Sequence, residues 1–269
     1  MDHRAAMPWK HALNAGLTRA TGYTLVRAER LQAPPPPART PARGRRLPAS
    51  FDQEARQIIR SVKPRTMTAP AKLFALIIAT RYVVDHGIPG AIVECGVWRG
   101  GSMQAVARTL LARAALDRDL HLFDTFEGMP LPTDRDRRPD GKLASEMLAG
   151  RPKTRKVWAV ASLEDVQAGM AETGYPPERV HFHPGLVERT IPAQAPDRIA
   201  ILRLDTDWYE STRHELDHLY DRVPSGGVVI FDDYGFWQGA RQAVDEFVHR
   251  THARLLLLPM ASGRITVKP

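Results

Sequence analysis

Four aspartates stand where two apolar runs stop. The run IAILRL beginning at Ile199 ends in Asp205 and Asp207, and a second run, GGVVIF, ends in Asp232 and Asp233. Branched and leucine residues without polar alternation predict strands buried on both faces, the kind that pair in parallel. Neighbouring parallel strands finish at one edge, and open α/β sheets bind ligands there. Asp205, Asp232 and Asp233 are therefore expected to converge on one spot. Carboxylates brought together repel one another unless a cation lies among them. An all-oxygen donor set selects a hard ion such as Mg2+. Taken singly, each acid is explained as well by a cap on the turn or helix that follows; two adjacent strands both ending in acid favour the metal.

Positioning these acids requires a run of βα units. A first strand, AIVEC, follows the Pro89-Gly90 turn and runs into Glu94-Cys95-Gly96-Val97-Trp98-Arg99-Gly100-Gly101-Ser102 and a helix predicted over residues 103–116. Glycines such as Gly96 and Gly101 between strand and helix let a ligand approach the backbone closely. Their spacing is neither the dinucleotide fingerprint nor a phosphate loop. Glu94 instead closes the strand with an acid, which suits a ligand bearing a free amine. A second strand over residues 120–123 ends in Asp124, placed to accept hydrogen bonds from both hydroxyls of a ribose. Amine, close approach and ribose together describe S-adenosylmethionine better than NAD. Further helices are predicted over residues 163–174, with Ser162 as N-cap, and over residues 211–220 and 240–249. A third strand spans residues 180–182, and residues 255–258 and 264–267 read as a closing antiparallel pair. Such a chain folds with right-handed crossovers into a parallel sheet.

Charge excludes one class of function. The net charge of +8 over 269 residues suggests nucleic acid until it is divided: residues 1–65 hold 13 Lys and Arg against 4 Asp and Glu, and the remainder holds 25 against 26. The body is nearly neutral, whereas a nucleic-acid enzyme carries a basic surface beside its site. Basicity belongs to residues 1–50, an arm with Trp9, Leu13 and Leu17 at helical spacing, a proline run at 34–37 and a basic linker. Residues 51–90 read as a helical cap or lid. Residues 70–86 are apolar on more than one face, and Thr66-Met67-Thr68 stands at the helix mouth as an N-cap. Residues 125–160 form a polar insertion of lid length. Its Asp134, Asp136 and Asp140 miss the calcium-loop pattern because Arg138 holds the fifth position. Cys95 is the single cysteine, so neither an internal disulfide nor a cysteine zinc site is available. No run has the length of a membrane span, and the N-terminus lacks the apolar core of a secretion signal. The expectation is a cytoplasmic protein that binds neither nucleic acid nor membrane.

Taken in order, TMT at Thr66, ECGVWRGGS, LFDTFEGMP, SLEDV with GYP, LRLDTDWYEST, and GGVVIFDDYG with WQGARQAVDEF resemble the macrocin-type (TylF/MycF-like) O-methyltransferases of antibiotic biosynthesis, over roughly residues 65–267. The resemblance implies an α/β fold: a doubly wound, mostly parallel, seven-stranded class I methyltransferase (Rossmann-like) sheet over residues 91–269, with the N-terminal helical cap before it. It implies S-adenosylmethionine as donor, Mg2+ or another divalent cation, and a hydroxyl acceptor on a sugar of a natural product. By position, Asp205, Asp232 and Asp233 would hold the metal, and Thr66, Met67, Glu94, Gly101, Ser102, Asp124 and Ser162 would line the cofactor site. A homo-oligomer is expected.

A vicinal diol or catechol would chelate the ion, which lowers the pKa of the hydroxyl and fixes it in line with the donor methyl. Three residues after Asp205, where catechol methyltransferases carry a lysine, this chain has Trp208, so no lysine base is offered. Asp205 is the expected proton acceptor, with His183 and His214 as weaker candidates. Trp208 and Tyr234, flanking the acids, are the expected stacking surfaces for the acceptor. Two rival readings stand beside this one: an NAD-dependent oxidoreductase, which has no use for three strand-end acids, and a non-catalytic protein binding through its basic arm.

Overall fold

The computed structural model describes residue 19 and residues 47–152 and 156–269; the expected arm thus lies almost wholly outside the described residues. Residues 47–269 form one compact unit. Its helical lead-in comprises α1 (Gln53–Val62) and α2 (Pro70–Asp85). Asp52 caps α1 by accepting from the Ala55 amide at 2.9 Å. The expected cap on α2 is displaced: Ala69 occupies the N-cap without a side-chain bond, and Thr66 Oγ1 accepts from the Thr68 amide instead. Alpha2 is apolar on more than one face because it is sandwiched. Leu73 and Ile77 pack with Phe51, Ile58, Ile59 and Ala105, while Leu76, Ala79 and Val83 join the main core beneath the sheet. The cap helices share the core of the body.

Strands and helices then alternate: β1 (Ala91–Cys95), α3 (Gly101–Ala112), β2 (Leu120–Asp124), α4 (Ala144–Leu148), α5 (Leu163–Ala171), β3 (Val180–Pro184), α6 (Val187–Thr190), β4 (Ile199–Leu204), α7 (Tyr209–Leu219), β5 (Val228–Phe231), α8 (Gln238–Thr251), β6 (Leu258–Met260) and β7 (Gly263–Val267). The seven strands form one sheet in the order β3-β2-β1-β4-β5-β7-β6. The first five are parallel and β7 and β6 close the sheet antiparallel. This is the sheet expected from the sequence. Strands β1, β4 and β5 are buried at every position, as their unbroken apolar runs require. The order of strands reverses between β1 and β4, so the crevice for a ligand opens where the loops after these two part. No helix among the described residues is long and apolar enough to cross a membrane.

The insertion is pinned rather than loose. Asp136, fully buried, accepts from the Thr133 amide (2.7 Å) and hydroxyl (2.9 Å), and its other oxygen accepts from the Tyr209 amide at 2.8 Å. A carboxylate from the insertion thereby caps the first turn of α7 and ties loop to body. Asp136→Ala is expected to cost about 1–3 kcal/mol, the range for a buried charged hydrogen bond. It should also open residues 130–145 to proteolysis; a urea melt and limited digestion measure both.

At the β3 edge, His121 lies between His181 (ring centroids 4.6 Å) and His183 (5.2 Å), with His121 Nδ1 3.0 Å from His183 Nε2. Burial first, then the two neighbouring imidazoles, push His121 from its ordinary 6.5 down to about 4. The unfolded chain therefore takes up this proton more readily, so stability is full above the ordinary value and is lost as pH falls towards about 4. At pH 5 the loss is about 1–2 kcal/mol. Replacing His121 by Phe should make the melting temperature less sensitive between pH 7 and 5 than in the wild type.

Candidate functional site

Close packing of two loops fixes the site. The Asp205 amide donates to the Cys95 carbonyl (2.8 Å) and the Gly96 amide to the Phe123 carbonyl (2.8 Å), carrying the sheet ladder past the strand ends. Gly96 has φ +83°, and a Cβ there would lie 2.1 Å from the Asp205 carbonyl oxygen; only glycine lets the loops meet. Gly101 acts differently from the expectation of direct ligand approach. It lets the start of α3 press against the Arg65 carbonyl and the Thr66 side chain, which seats Thr66-Met67 over the crevice.

The resulting cavity, about 430 Å3, is bordered by Thr66, Met67, Gly96, Ser102 and Asp124 on one side and by Asp205, Asp207, Asp232 and Asp233 on the other. Asp124 turns its carboxylate back onto the glycine loop, accepting from the amides of Val97 (2.7 Å), Trp98 (3.0 Å) and Phe126 (2.9 Å). Burial nonetheless outweighs these bonds and raises its pKa above the usual carboxylate range. Glu94 and Ser162, expected at the cofactor, do not border the cavity. Glu94 is 1% exposed beneath the cavity floor, because its neighbour in register on β4 is Arg203, which takes one of its oxygens. Its other oxygen has no partner among the described residues. Burial first, partly opposed by Arg203, raises it to about 7. Ser162 caps α5, accepting from the Asp165 amide at 3.3 Å.

Asp205, Asp232 and Asp233 each offer an oxygen, and these atoms lie within 4.8 Å of one another. Two cations of the chain adjoin them. Arg203 Nη1 is 2.7 Å from Asp205 Oδ2 and Nη2 is 2.6 Å from Asp232 Oδ1. Lys72, from the first turn of α2, pairs with Asp232 Oδ2 and donates to the Asp232 carbonyl at 2.8 Å. The sequence offered no lysine near these acids; one arrives from 160 residues away. For Asp232 the penalty of burial is outweighed by Arg203 and Lys72, which hold it below its usual value. Asp205 and Asp233 are pushed well up by burial and by their acidic neighbours, against the pull of Arg203 on both and of Lys72 on Asp233. Asp207 is raised to about 7 by burial and by Asp205. Two cations thus leave a surplus of acid in a buried space, and an all-carboxylate donor set of this spacing fits a hard divalent ion.

Asp207 is the residue that sequence reading set beside Asp205 and gave no part. Its φ is +69°, an uncommon conformation for a non-glycine residue and one that clusters at working sites. Trp237 Nε1 donates to its Oδ1 at 2.6 Å, its amide donates to Asp233 Oδ2 at 3.2 Å, and no Lys or Arg among the described residues pairs with it. The aromatics expected at the acceptor are elsewhere. Trp208, 4% exposed, packs edge-on against Trp237 (centroids 5.0 Å) and donates to the Pro130 carbonyl at 3.1 Å, binding the insertion. The Tyr234 hydroxyl donates to Asp245 at 2.6 Å on α8. Phe236 borders the cavity in their place. His183 stacks on Phe123 and bonds Gln194, and His214 bonds the Ile191 carbonyl; neither borders the cavity.

Residues 41–259 match the macrocin-O-methyltransferase (TylF) family. The chain belongs to that family. It is an O-methyltransferase, as the resemblance implied. Among its relatives are the demethyldecarbamoylnovobiocin O-methyltransferase of Streptomyces niveus, 36% identical over 61% of this chain and 60% of that protein. Another is the 8-demethyl-8-(2,3-dimethoxy-alpha-L-rhamnosyl)-tetracenomycin-C 4'-O-methyltransferase of Streptomyces olivaceus, 36% identical over 68% of this chain and 67% of the other. Matching segments therefore span about two thirds of these relatives. The solved structure of the O-methyltransferase NovP is 32% identical, with a TM-score of 0.66 over 76% of this chain and 82% of that one. The family's fold is the class I S-adenosylmethionine-dependent methyltransferase fold seen here.

Proposed function

We propose that this protein transfers a methyl group from S-adenosylmethionine to one hydroxyl of a vicinal pair on a sugar of a glycosylated natural product, and that transfer depends on a divalent cation held by Asp205, Asp232 and Asp233. The observation that supports this best is the carboxylate trio bordering the same cavity as Thr66, Met67, Ser102 and Asp124. The rhamnosyl group in the name of the S. olivaceus relative supports a sugar as acceptor. S-adenosylmethionine supplies an electrophilic methyl on a cationic sulfur, and a divalent cation supplies the charge that acidifies a nearby hydroxyl.

The chain's own residues do the rest. Thr66, Met67 and Ser102 wall the donor end, and Asp124 braces the glycine loop that the donor must lie against. Asp205, Asp232 and Asp233 set the position of the reacting oxygen. The hydroxyl proton goes to Asp207 in place of Asp205: Asp205 is paired with the Arg203 guanidinium and belongs to the trio assigned to the ion, whereas Asp207 lies outside that trio, pairs with no Lys or Arg among the described residues and has one oxygen free to accept. Trp237 holds its other oxygen and so fixes its orientation. Met67, Phe236 and the insertion exclude water from a step in which opposite charges cancel.

The test is a panel of sugars, glycosides and catechols offered with the donor and Mg2+. Methylation is expected on glycosides with adjacent free hydroxyls, with loss in excess chelator and on removal of either hydroxyl. Tight calorimetric binding of NADH with none of S-adenosylhomocysteine would overturn the reading.

A further inference from the structure

Asp232 has no uncommitted oxygen, since Arg203 holds Oδ1 and Lys72 holds Oδ2. A cation taking one oxygen from each of the three aspartates must displace or share one of these partners. Arg203 is fixed from three sides by Glu94, Asp205 and Asp232, one residue before the end of a fully buried strand. Lys72 is attached by a flexible stem and has a second acceptor, the Asp232 carbonyl, that involves no carboxylate. It is 8% exposed, and a lysine is buried to this degree only where it is paired.

From this geometry we infer that Lys72 is a tethered competitor for the divalent cation. Its ammonium neutralises Asp232 in the empty site, leaves Oδ2 when the ion binds, and stays on the carbonyl. This rests on the metal reading above and goes beyond it: the chain carries its own stand-in for the ion, which keeps the site folded without metal and weakens metal binding. Lys72 lies in the first turn of α2, six residues after Thr66. Loading the ion therefore loosens the turn that follows the donor wall, coupling the two halves of the cavity. Lys72 is a positioning residue in this account.

The experiment is calorimetric titration of the full chain with Mn2+ alone, without donor or acceptor, for wild type, Lys72→Met, Lys72→Gln and Lys72→Arg. Removing a positive charge a few ångströms from a divalent ion should tighten Mn2+ binding at least about tenfold in both neutral variants, with Lys72→Arg within about threefold of wild type. In chelator the neutral variants should melt below wild type, and in saturating Mn2+ that order should reverse. Mn2+ binding by the neutral variants that is equal to or weaker than wild type overturns the inference and leaves the metal reading standing. Their failure to fold even in saturating Mn2+ also overturns it, because the ion then cannot replace the ammonium. Absence of Mn2+ binding in wild type and all variants overturns the metal reading itself.

Discussion

Arg203→Met is expected to destabilise the metal-free protein by about 3–5 kcal/mol, the cost of removing one member of a buried ionic cluster. Arg203 is 2% exposed and is shared by Glu94, Asp205 and Asp232. Methionine fills much of the same volume, so packing changes little; what is lost is the compensation of acids that cannot reach water. Glu94, at 1% exposure, would have to be protonated or desolvated without a partner, and Asp232, at 5% exposure, would keep only Lys72. At about 2–4 °C per kcal/mol for a chain of this size, the melting temperature should fall by roughly 6–20 °C. Thermal and urea melts in chelator measure it. A loss below about 1 kcal/mol would mean that the cluster is hydrated and that burial is not what shapes these acids. Arg203→Lys, keeping the charge but not the fork that reaches three carboxylates, should fall between.

Asp207→Asn is expected to lower kcat by about 10²–10⁴, the span attributable to a positioned general base. Asparagine keeps the side-chain shape and can still accept from Trp237, so the fold and the binding of S-adenosylhomocysteine should hardly change. That separates a proton acceptor from a structural residue: the loss belongs in kcat, with calorimetric affinity for S-adenosylhomocysteine and Mn2+ close to wild type. A variant with full turnover would return the role to Asp205, the acceptor expected from sequence. Trp237→Phe, which removes the donor to Asp207 Oδ1, should show a weaker version of the same defect.

The sheet was legible because its inner strands are buried on both faces and say so residue by residue. IAILRL and VVIF are short, rich in branched residues and without polar alternation, as strands buried on both faces are, and two adjacent strands both ending in acid pointed to one shared edge. Helix ends were less legible. Alpha7 begins at Tyr209 rather than residue 211 because its cap is Asp136, 73 positions earlier and within a charge run that looked solvated. The starts of α3 at Gly101 and α8 at Gln238 likewise precede the first strongly apolar residues.

Within the site, sequence brought the aspartates together but not their counter-charges. Arg203 lies inside the apolar run itself, where only the register with Glu94 shows why a guanidinium is tolerated. Lys72 reaches Asp232 from the helical lead-in, and no local pattern links positions so far apart. The aromatics failed for a related reason. Trp208 and Tyr234 flank the acids along the chain, yet side chains next to a strand end point alternately into and away from a crevice. Trp208 turned to the insertion and Tyr234 to α8, while Phe236, two residues on, reached the cavity border. Asp207, by contrast, was visible as one of the four acids; the separate part proposed for it rests on the Arg203–Asp205 pair and on its own lack of a Lys or Arg partner among the described residues, neither of which is written in the local sequence.

The most direct measurement is a crystal grown with Mn2+ and S-adenosylhomocysteine, with the ion located by its anomalous scattering. The account predicts one strong peak among Asp205, Asp232 and Asp233, at ordinary metal–oxygen distances of about 2.0–2.6 Å from one oxygen of each, with the homocysteine sulfur in the same cavity. Density for S-adenosylhomocysteine with no ion between the three carboxylates, and Arg203 and Lys72 still closed upon them, would contradict it.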